Sequence, residues 1–413
     1  MVDINENFLS LGKSYLFQRI AEKKTAFLQK HPEADLLDLG IGDTTLAPPK
    51  VAIEALIRAG NQMLDSPIGY GPSTGYLFLK EAICNEYYKP LVSSSLSKTT
   101  SYAPSSDEVF ISDGAKSDTA LLENLFAKES KICVCDPVYP VYVDSNALAG
   151  RLDPGYENAI YAQCTEENGF TPKPPSSAKE PVADIIYLCS PHNPTGIAFS
   201  YEALKKWVDY ALEHKSVIIF DAAYSAFVTD PSIPKSIYEV ENAEKVAIEC
   251  GSFSKGASFT GLRCAWCVIP QSVIRSGKSL NALWNQYKSI TSNGVSYPIQ
   301  KAAEALFTPE GKCAIEENAK SYMASAQKLH SGLKNLNWKV FEKPSAPYVW
   351  CKSPVPLSSW ELFDLLLEKA HIIATPGSGF GKSGEGYIRF SAFAKPSAID
   401  KALVRLSQLY QEA

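Results

Sequence analysis

At 413 residues the chain is too long for one simple core, and its length predicts roughly two to three domains. Its composition is ordinary for a globular protein, 45% hydrophobic and 21% charged, with 40 basic residues against 45 acidic ones. That near balance, without a basic run, argues against nucleic acid or an anionic membrane as partner.

No apolar run approaches the ~18 residues that a membrane helix needs. The N-terminus, Met1–Glu6, is acidic and lacks a signal-peptide core. Ten cysteines raise a disulfide or zinc reading. Cys133 and Cys135, however, lie inside the strand-like run Ile132–Asp136. Cys264 and Cys267 form one C-x-x-C with no second ligand pair and no suitably spaced histidines. Buried free thiols in a reducing cytoplasm fit this placement better, and no metal site is expected.

In chain order, Asp107–Ser112 predicts a strand, Ala115–Leu125 a helix and Lys131–Asp136 a strand. Ala183–Ser190 (strand), Tyr201–His214 (helix), Val217–Asp221 (strand) and Val246–Gly251 (strand) continue the alternation. The series implies an α/β fold whose large domain has a mainly parallel sheet flanked by helices. Ligands of such sheets sit at the carboxyl ends of the strands. Ser93–Ser106 and Thr171–Pro181 read as exposed connections. A helix over Lys312–Leu336, a strand at Tyr348–Cys351 and helices at Ser359–Ala370 and Ser397–Gln411 predict a smaller α+β domain. The expected division is 1–50 as N-terminal arm and part of the small domain, 51–290 as the large ligand-binding domain, and 291–413 as the C-terminal small domain.

The residues that carry chemistry in the large domain fall just after strands. Asp113-Gly114-Ala115-Lys116 opens a helix whose free N–H groups suit a phosphate. Tyr139, in Asp136–Pro140, is placed to stack on an aromatic ring. In Ser190–Gly196 two prolines and a glycine fix a turn that presents Asn193, whose amide suits a phenolic oxygen; a plain tight turn accounts for the same residues. Asp221 ends an apolar strand, where an unpaired carboxylate is costly. A protonated pyridine nitrogen would satisfy it, and a helix N-cap is the ordinary alternative.

In Gly251-Ser252-Phe253-Ser254-Lys255, with Arg263 eight residues on, hydroxyls, backbone N–H groups and a guanidinium suit phosphate oxygens. The lysine can condense with an aldehyde. Together they point to pyridoxal 5′-phosphate (PLP), although a lone lysine is ordinarily a solvated surface charge. Arg389, inside the apolar run Tyr387–Ser391, suits a bidentate carboxylate clamp.

Three motifs carry less. Gly379–Gly384 satisfies G-x-G-x-x-G, but it runs toward the strand of Arg389 instead of opening a helix. Gly381-Lys382-Ser383 imitates the end of a phosphate loop, but Pro376 stands where its first glycine belongs. His192 has no second histidine nearby and reads as a local structural residue.

In this order and spacing the residues resemble the fold-type I, class I and II aminotransferases, over nearly the whole chain. The resemblance implies PLP carried on Lys255, which also shuttles the substrate proton, with Asp221 on the ring nitrogen. It puts Tyr139 on the ring face and Asn193 and Tyr224 on the ring hydroxyl oxygen. Ser252, Ser254, Arg263, Ala115 and Lys116 surround the phosphate, and Arg389 grips the substrate α-carboxylate. Tyr70, in Gly69-Tyr70-Gly71-Pro72, reaches the cofactor phosphate of the neighbouring subunit, since members are homodimers with shared sites.

Within that superfamily, Ser14–Phe17, Leu39–Thr45, Gly69–Pro72, Asp113–Lys116 and Ser292–Tyr297 are similar to the LL-diaminopimelate aminotransferase family. There the residues matching Tyr15, Gly42, Lys116 and Asn293 help bind substrate. Ser73 departs from the pattern, because that family often has an acid there for the distal ammonium. The implied reaction moves an amine between L-glutamate/2-oxoglutarate and tetrahydrodipicolinate/LL-2,6-diaminopimelate, in cytoplasmic lysine and diaminopimelate biosynthesis. The rivals are an aminotransferase for an aromatic or lysine-like amino acid, a PLP β-lyase and a non-catalytic PLP-binding regulator. The regulator would need a helix-turn-helix domain ahead of motifs that already begin near residue 36.

Overall fold

The computed structural model describes residues 2–11, 16–93, 102–176, 180–341 and 343–409. Its largest sheet has seven strands: β1 (Val109–Ser112), β2 (Ile132–Asp136), β3 (Ile160–Gln163), β4 (Ile185–Cys189), β5 (Val217–Asp221), β6 (Ala247–Ser252) and β7 (Ala265–Val268). They lie in the order β1-β7-β6-β5-β4-β2-β3. β7 runs antiparallel to both its neighbours, and the other pairings are parallel. Runs such as Val217-Ile218-Ile219-Phe220 are buried along their whole length, as expected for strands covered on both faces. The ends of β4 and β5 stand beside β6 near its end, with Cys189 opposite Asp221 and Asp221 opposite Cys250.

The helices follow their local signals. Tyr201–His214 begins where the Ser200 side chain accepts from the Ala203 N–H at 3.2 Å. It buries Leu204, Trp207, Val208 and Ala211 and ends at Lys215, which is left-handed (φ +59°). Ser359–Ala370 has a reciprocal Ser358/Glu361 capping box and buries Leu362, Phe363, Leu366 and Leu367.

Elsewhere the expected boundaries shift. The helix expected over Ala115–Leu125 is α-helical only to Leu121, and its last residues tighten into a 3-10 turn, Leu122–Leu125. The helix expected from Lys312 starts at Pro309, because the Thr308 hydroxyl accepts from the Gly311 N–H at 3.2 Å. The final helix starts at Pro396 and is described to Leu409; the expected end at Gln411 lies outside the described residues. Residues 94–101 and 177–179 of the two polar connections lie outside the described residues, as does Tyr15.

A second, antiparallel sheet contains β8 (Lys339–Val340), β9 (Tyr348–Lys352), β10 (Thr375–Pro376) and β11 (Ile388–Ser391), in the order β8-β9-β11-β10. The N-terminal segment joins this part of the molecule: Leu37–Asp38 pairs in parallel with Ile372–Ile373. The Ser391 N–H then donates to the Leu39 carbonyl at 2.7 Å, which lays residues 40–42 beside Arg389.

Gly379–Gly384 does not open an α-helix. It forms parts of two 3-10 turns that latch onto Asp136 at the end of β2. The Ser383 hydroxyl donates to Asp136 at 2.9 Å, and a Cβ on Gly381 (φ +137°) would stand 2.1 Å from the same carboxylate. All ten cysteines carry free thiols, and only Cys313 is exposed. No helix among the described residues is long and apolar enough to cross a membrane.

Candidate active site

A cavity of about 450 Å³ opens at the carboxyl ends of β4, β5 and β6, roofed by residues 41–43 and by Tyr348 and Arg389. Twelve of the residues expected from the sequence line it: Gly42, Ala115, Lys116, Tyr139, Asn193, Asp221, Tyr224, Ser252, Ser254, Lys255, Arg263 and Arg389. Among the described residues the charges are arranged unevenly, with the cations Lys116, Lys255, Arg263 and Arg389 facing only two carboxylates, Asp43 and Asp221.

Lys255 leaves the end of β6, and its Nζ donates to the Gly42 carbonyl. Burial lowers its pKa from 10.5 to about 8, and the cations Arg389 and Arg263 push the same way. Asp43 and, more weakly, Asp221 oppose the shift. The amine is therefore half neutral near pH 8, within reach of base chemistry.

Asp221 is buried at the cavity floor. Tyr142 Oη donates to its Oδ2 at 2.6 Å, and the Ala223 N–H donates to its Oδ1 at 3.0 Å. Burial raises its pKa, and these donors only partly offset that. The N-cap alternative fails: Asp221 opens no α-helix, and its local bond closes a turn onto Ala223.

Arg389 is 1% exposed, on the inner face of β11. It donates to Asn193 Oδ1 at 2.7 Å, the Gly40 carbonyl at 2.6 Å and Thr375 Oγ1 at 3.2 Å, while its Nε has no partner. Among the described residues no carboxylate pairs with it. A buried guanidinium held by neutral oxygens alone is poised for an incoming anion. At the other side of the cavity the Arg263 backbone is left-handed (φ +63°), a conformation rare outside glycine. Its guanidinium lies across Gly114, where a Cβ would stand 2.3 Å from Nη2. A side chain at 114 would displace the Arg263 guanidinium from the start of the helix at Ala115.

A lysine with a lowered pKa stands between a buried carboxylate and two anion-seeking arginines, on a mainly parallel sheet. Residues 34–406 match the family described as aminotransferase class I and II. The chain belongs to that family.

Two curated relatives bear the name LL-diaminopimelate aminotransferase. The protein of Methanosphaera stadtmanae is 45% identical and that of Desulfotalea psychrophila 44%, each match covering 99% of both chains. The solved structure of L,L-diaminopimelate aminotransferase from Chlamydomonas reinhardtii superposes with a TM-score of 0.91 at 35% identity, over 99% of each chain. Fold and enzyme class expected from the sequence therefore hold.

Two residues expected at the site of this aminotransferase lie away from its cavity. Tyr70 is 91% exposed, and Asn293 is exposed as well. Their loops are neighbours, since a Cβ on Gly294 (φ +79°) would stand 2.7 Å from the Pro72 carbonyl. His192 is buried, and its Nδ1 bonds Thr195 Oγ1 at 3.0 Å.

Other residues of the aminotransferase cavity were assigned no role from the sequence, although Phe17, Ile41 and Asp43 lie within the Ser14–Phe17 and Leu39–Thr45 motifs. Tyr142 supports Asp221 from a helix following β2. Tyr348 Oη meets Tyr224 Oη at 2.8 Å and lies so close to Gly42 that a Cβ there would stand 2.1 Å from it. Phe17, Ile41, Asp43, Cys189, Ala223 and Thr260 complete the lining.

Proposed function

We propose that this aminotransferase uses PLP to exchange an amine between L-glutamate/2-oxoglutarate and tetrahydrodipicolinate/LL-2,6-diaminopimelate, a step of lysine and diaminopimelate biosynthesis. The observation that carries the reading is Lys255 standing between buried Asp221 and buried, carboxylate-free Arg389. The full-length relatives named for diaminopimelate support the choice of substrate.

The residues fit PLP. Asp221 offers a buried negative charge to the pyridine nitrogen. Asn193 and Tyr224 offer polar atoms to the ring hydroxyl, and Tyr139 offers a ring face. Ala115, Lys116, Ser252, Ser254 and Arg263 surround the place for a phosphate. When bound, the cofactor supplies an electron sink for the charge left at the substrate Cα.

The chain does the remaining work. Arg389 fixes the substrate α-carboxylate in a fork, which aims the Cα proton at Lys255. Lys255 Nζ takes that proton and returns it, a task that needs the neutral amine its burial favours. Gly42, Lys116, Tyr15 and Asn293 are assigned to the remainder of the substrate.

Mixing the PLP-loaded enzyme with LL-diaminopimelate, and separately with L-glutamate, in a stopped-flow spectrometer tests this reading. Both should bleach the yellow absorbance rapidly, and meso-diaminopimelate should leave it intact. Bleaching by glutamate alone would rule out the assigned substrate.

Exposed Tyr70 and Asn293, on neighbouring loops outside their own cavity, support a homodimer in which each subunit completes the other's site. Tyr70→Ala and Lys255→Ala proteins, each weak or inert alone, should recover activity when subunits are exchanged. Only a hybrid dimer pairs an intact Lys255 with an intact Tyr70 at one site. Absence of recovery, with exchange confirmed, would place Tyr70 outside the shared site.

A further inference from the structure

The cavity's charge balance leaves one carboxylate without a close ion-pair partner among the described residues. Of its two acids, Asp221 is buried on the floor and held by Tyr142 and the Ala223 N–H. Asp43 is different. It lies on the exposed rim, directly after the Gly42 carbonyl that Lys255 engages. Its Oδ1 accepts only from the N–H of its own neighbour, Thr44, at 2.8 Å, and no cation pairs with it among the described residues. The segment that carries it is held from both sides: Tyr322 Oη accepts from the Thr45 and Leu46 N–H groups, and Thr44 Oγ1 meets Thr260 Oγ1 at 3.2 Å. A carboxylate on a fixed backbone at the cavity mouth is a preorganised receptor for a cation.

The substrates pose a matching demand. Every amino acid brings an α-carboxylate, and four cations line the cavity to receive that group and a phosphate. A second ammonium group meets repulsion from all four and attraction from one accessible acid. We propose that Asp43 is a specificity residue that pairs with the distal ammonium of a diamino acid held by its α-carboxylate on Arg389. This rests on the diaminopimelate reading above and names the group that would distinguish that substrate from glutamate.

Asp43 also acts on Lys255, since its charge is the strongest influence holding the amine protonated. Removing it therefore changes the half-reaction of every donor to some degree. That common effect cancels in a ratio of two donors, so the ratio is the proper readout.

The test compares LL-2,6-diaminopimelate with L-2-aminopimelate, the same chain without the distal amine, as single-turnover donors to PLP-loaded wild type, Asp43→Asn and Asp43→Glu. In wild type the diamino donor should be preferred. Asp43→Asn should cut the preference roughly tenfold, as expected for one charge-assisted hydrogen bond on a partly wet rim. Asp43→Glu should retain part of it. Asp43 is exposed, so folding should survive, and retained yellow absorbance would verify it. A preference unchanged in Asp43→Asn would overturn this inference alone, leaving Asp43 as a modulator of Lys255. Wild type inert toward LL-diaminopimelate would overturn the functional reading and this inference with it.

Discussion

Lys255→Ala is expected to abolish amine transfer, with a loss of at least about 10³-fold. The side chain is assigned both the attachment of the cofactor and the base, and general-base catalysis alone is typically worth 10²–10⁴-fold. Lys255→Arg sharpens the test. Arginine keeps the cation and can still donate to the Gly42 carbonyl, but it does not lose its proton in a protein. If Lys255 served only to hold Gly42 or to balance Asp43, arginine would substitute well. If the reaction needs the neutral amine favoured by the shift to about 8, arginine should be as inactive as alanine. Single-turnover absorbance with glutamate separates the two, and substantial activity in Lys255→Arg would defeat the assignment.

Much of this site was legible because its chemistry is tied to short local patterns. Asp221, Asn193 and Lys255 each follow an apolar run, and period and composition alone place them at strand ends. Arg389 stood out because an arginine within an apolar strand has no ordinary solvated role. Tyr142 could not be found that way. Its reason for being there is Asp221, a residue 79 positions away, and only the packing of the helix after β2 brings the two together. Tyr348 was obscure for the same reason, since it matters through its meeting with Tyr224, 124 positions away.

The strand β7 was missed for a different cause. It runs antiparallel in an otherwise parallel sheet, which breaks the strand–helix alternation that exposed β1, β2, β4, β5 and β6; β3 was missed as well. Only residues 253–264 separate it from β6, with no α-helix between them. Left-handed Ser258 and Arg263 help turn the chain back. The turn that brings Arg263 to Gly114 and the cavity thus also forces the reversal.

Asp221→Asn is expected to lower kcat/KM by roughly 10²–10³-fold, a loss typical of removing a preorganised electrostatic group, while leaving the fold intact. Asparagine keeps the shape, can still accept from the Ala223 N–H and can still bond Tyr142, so only the charge is lost. Stability should move the other way in the cofactor-free protein. Burial raises the folded-state pKa of Asp221 above its ordinary 3.8. A group raised in this way contributes fully below its unfolded pKa and loses that contribution as pH rises through the folded value. Above its unfolded pKa the buried carboxylate is therefore a cost, whichever form it takes, and asparagine removes it. Melting curves at pH 7 should show Asp221→Asn at least as stable as wild type without PLP, and less stabilised than wild type when PLP is added. A variant both inactive and less stable without PLP would make Asp221 a structural anchor for Tyr142. Activity lost while stability is kept would identify a charge retained against folding for the cofactor's nitrogen.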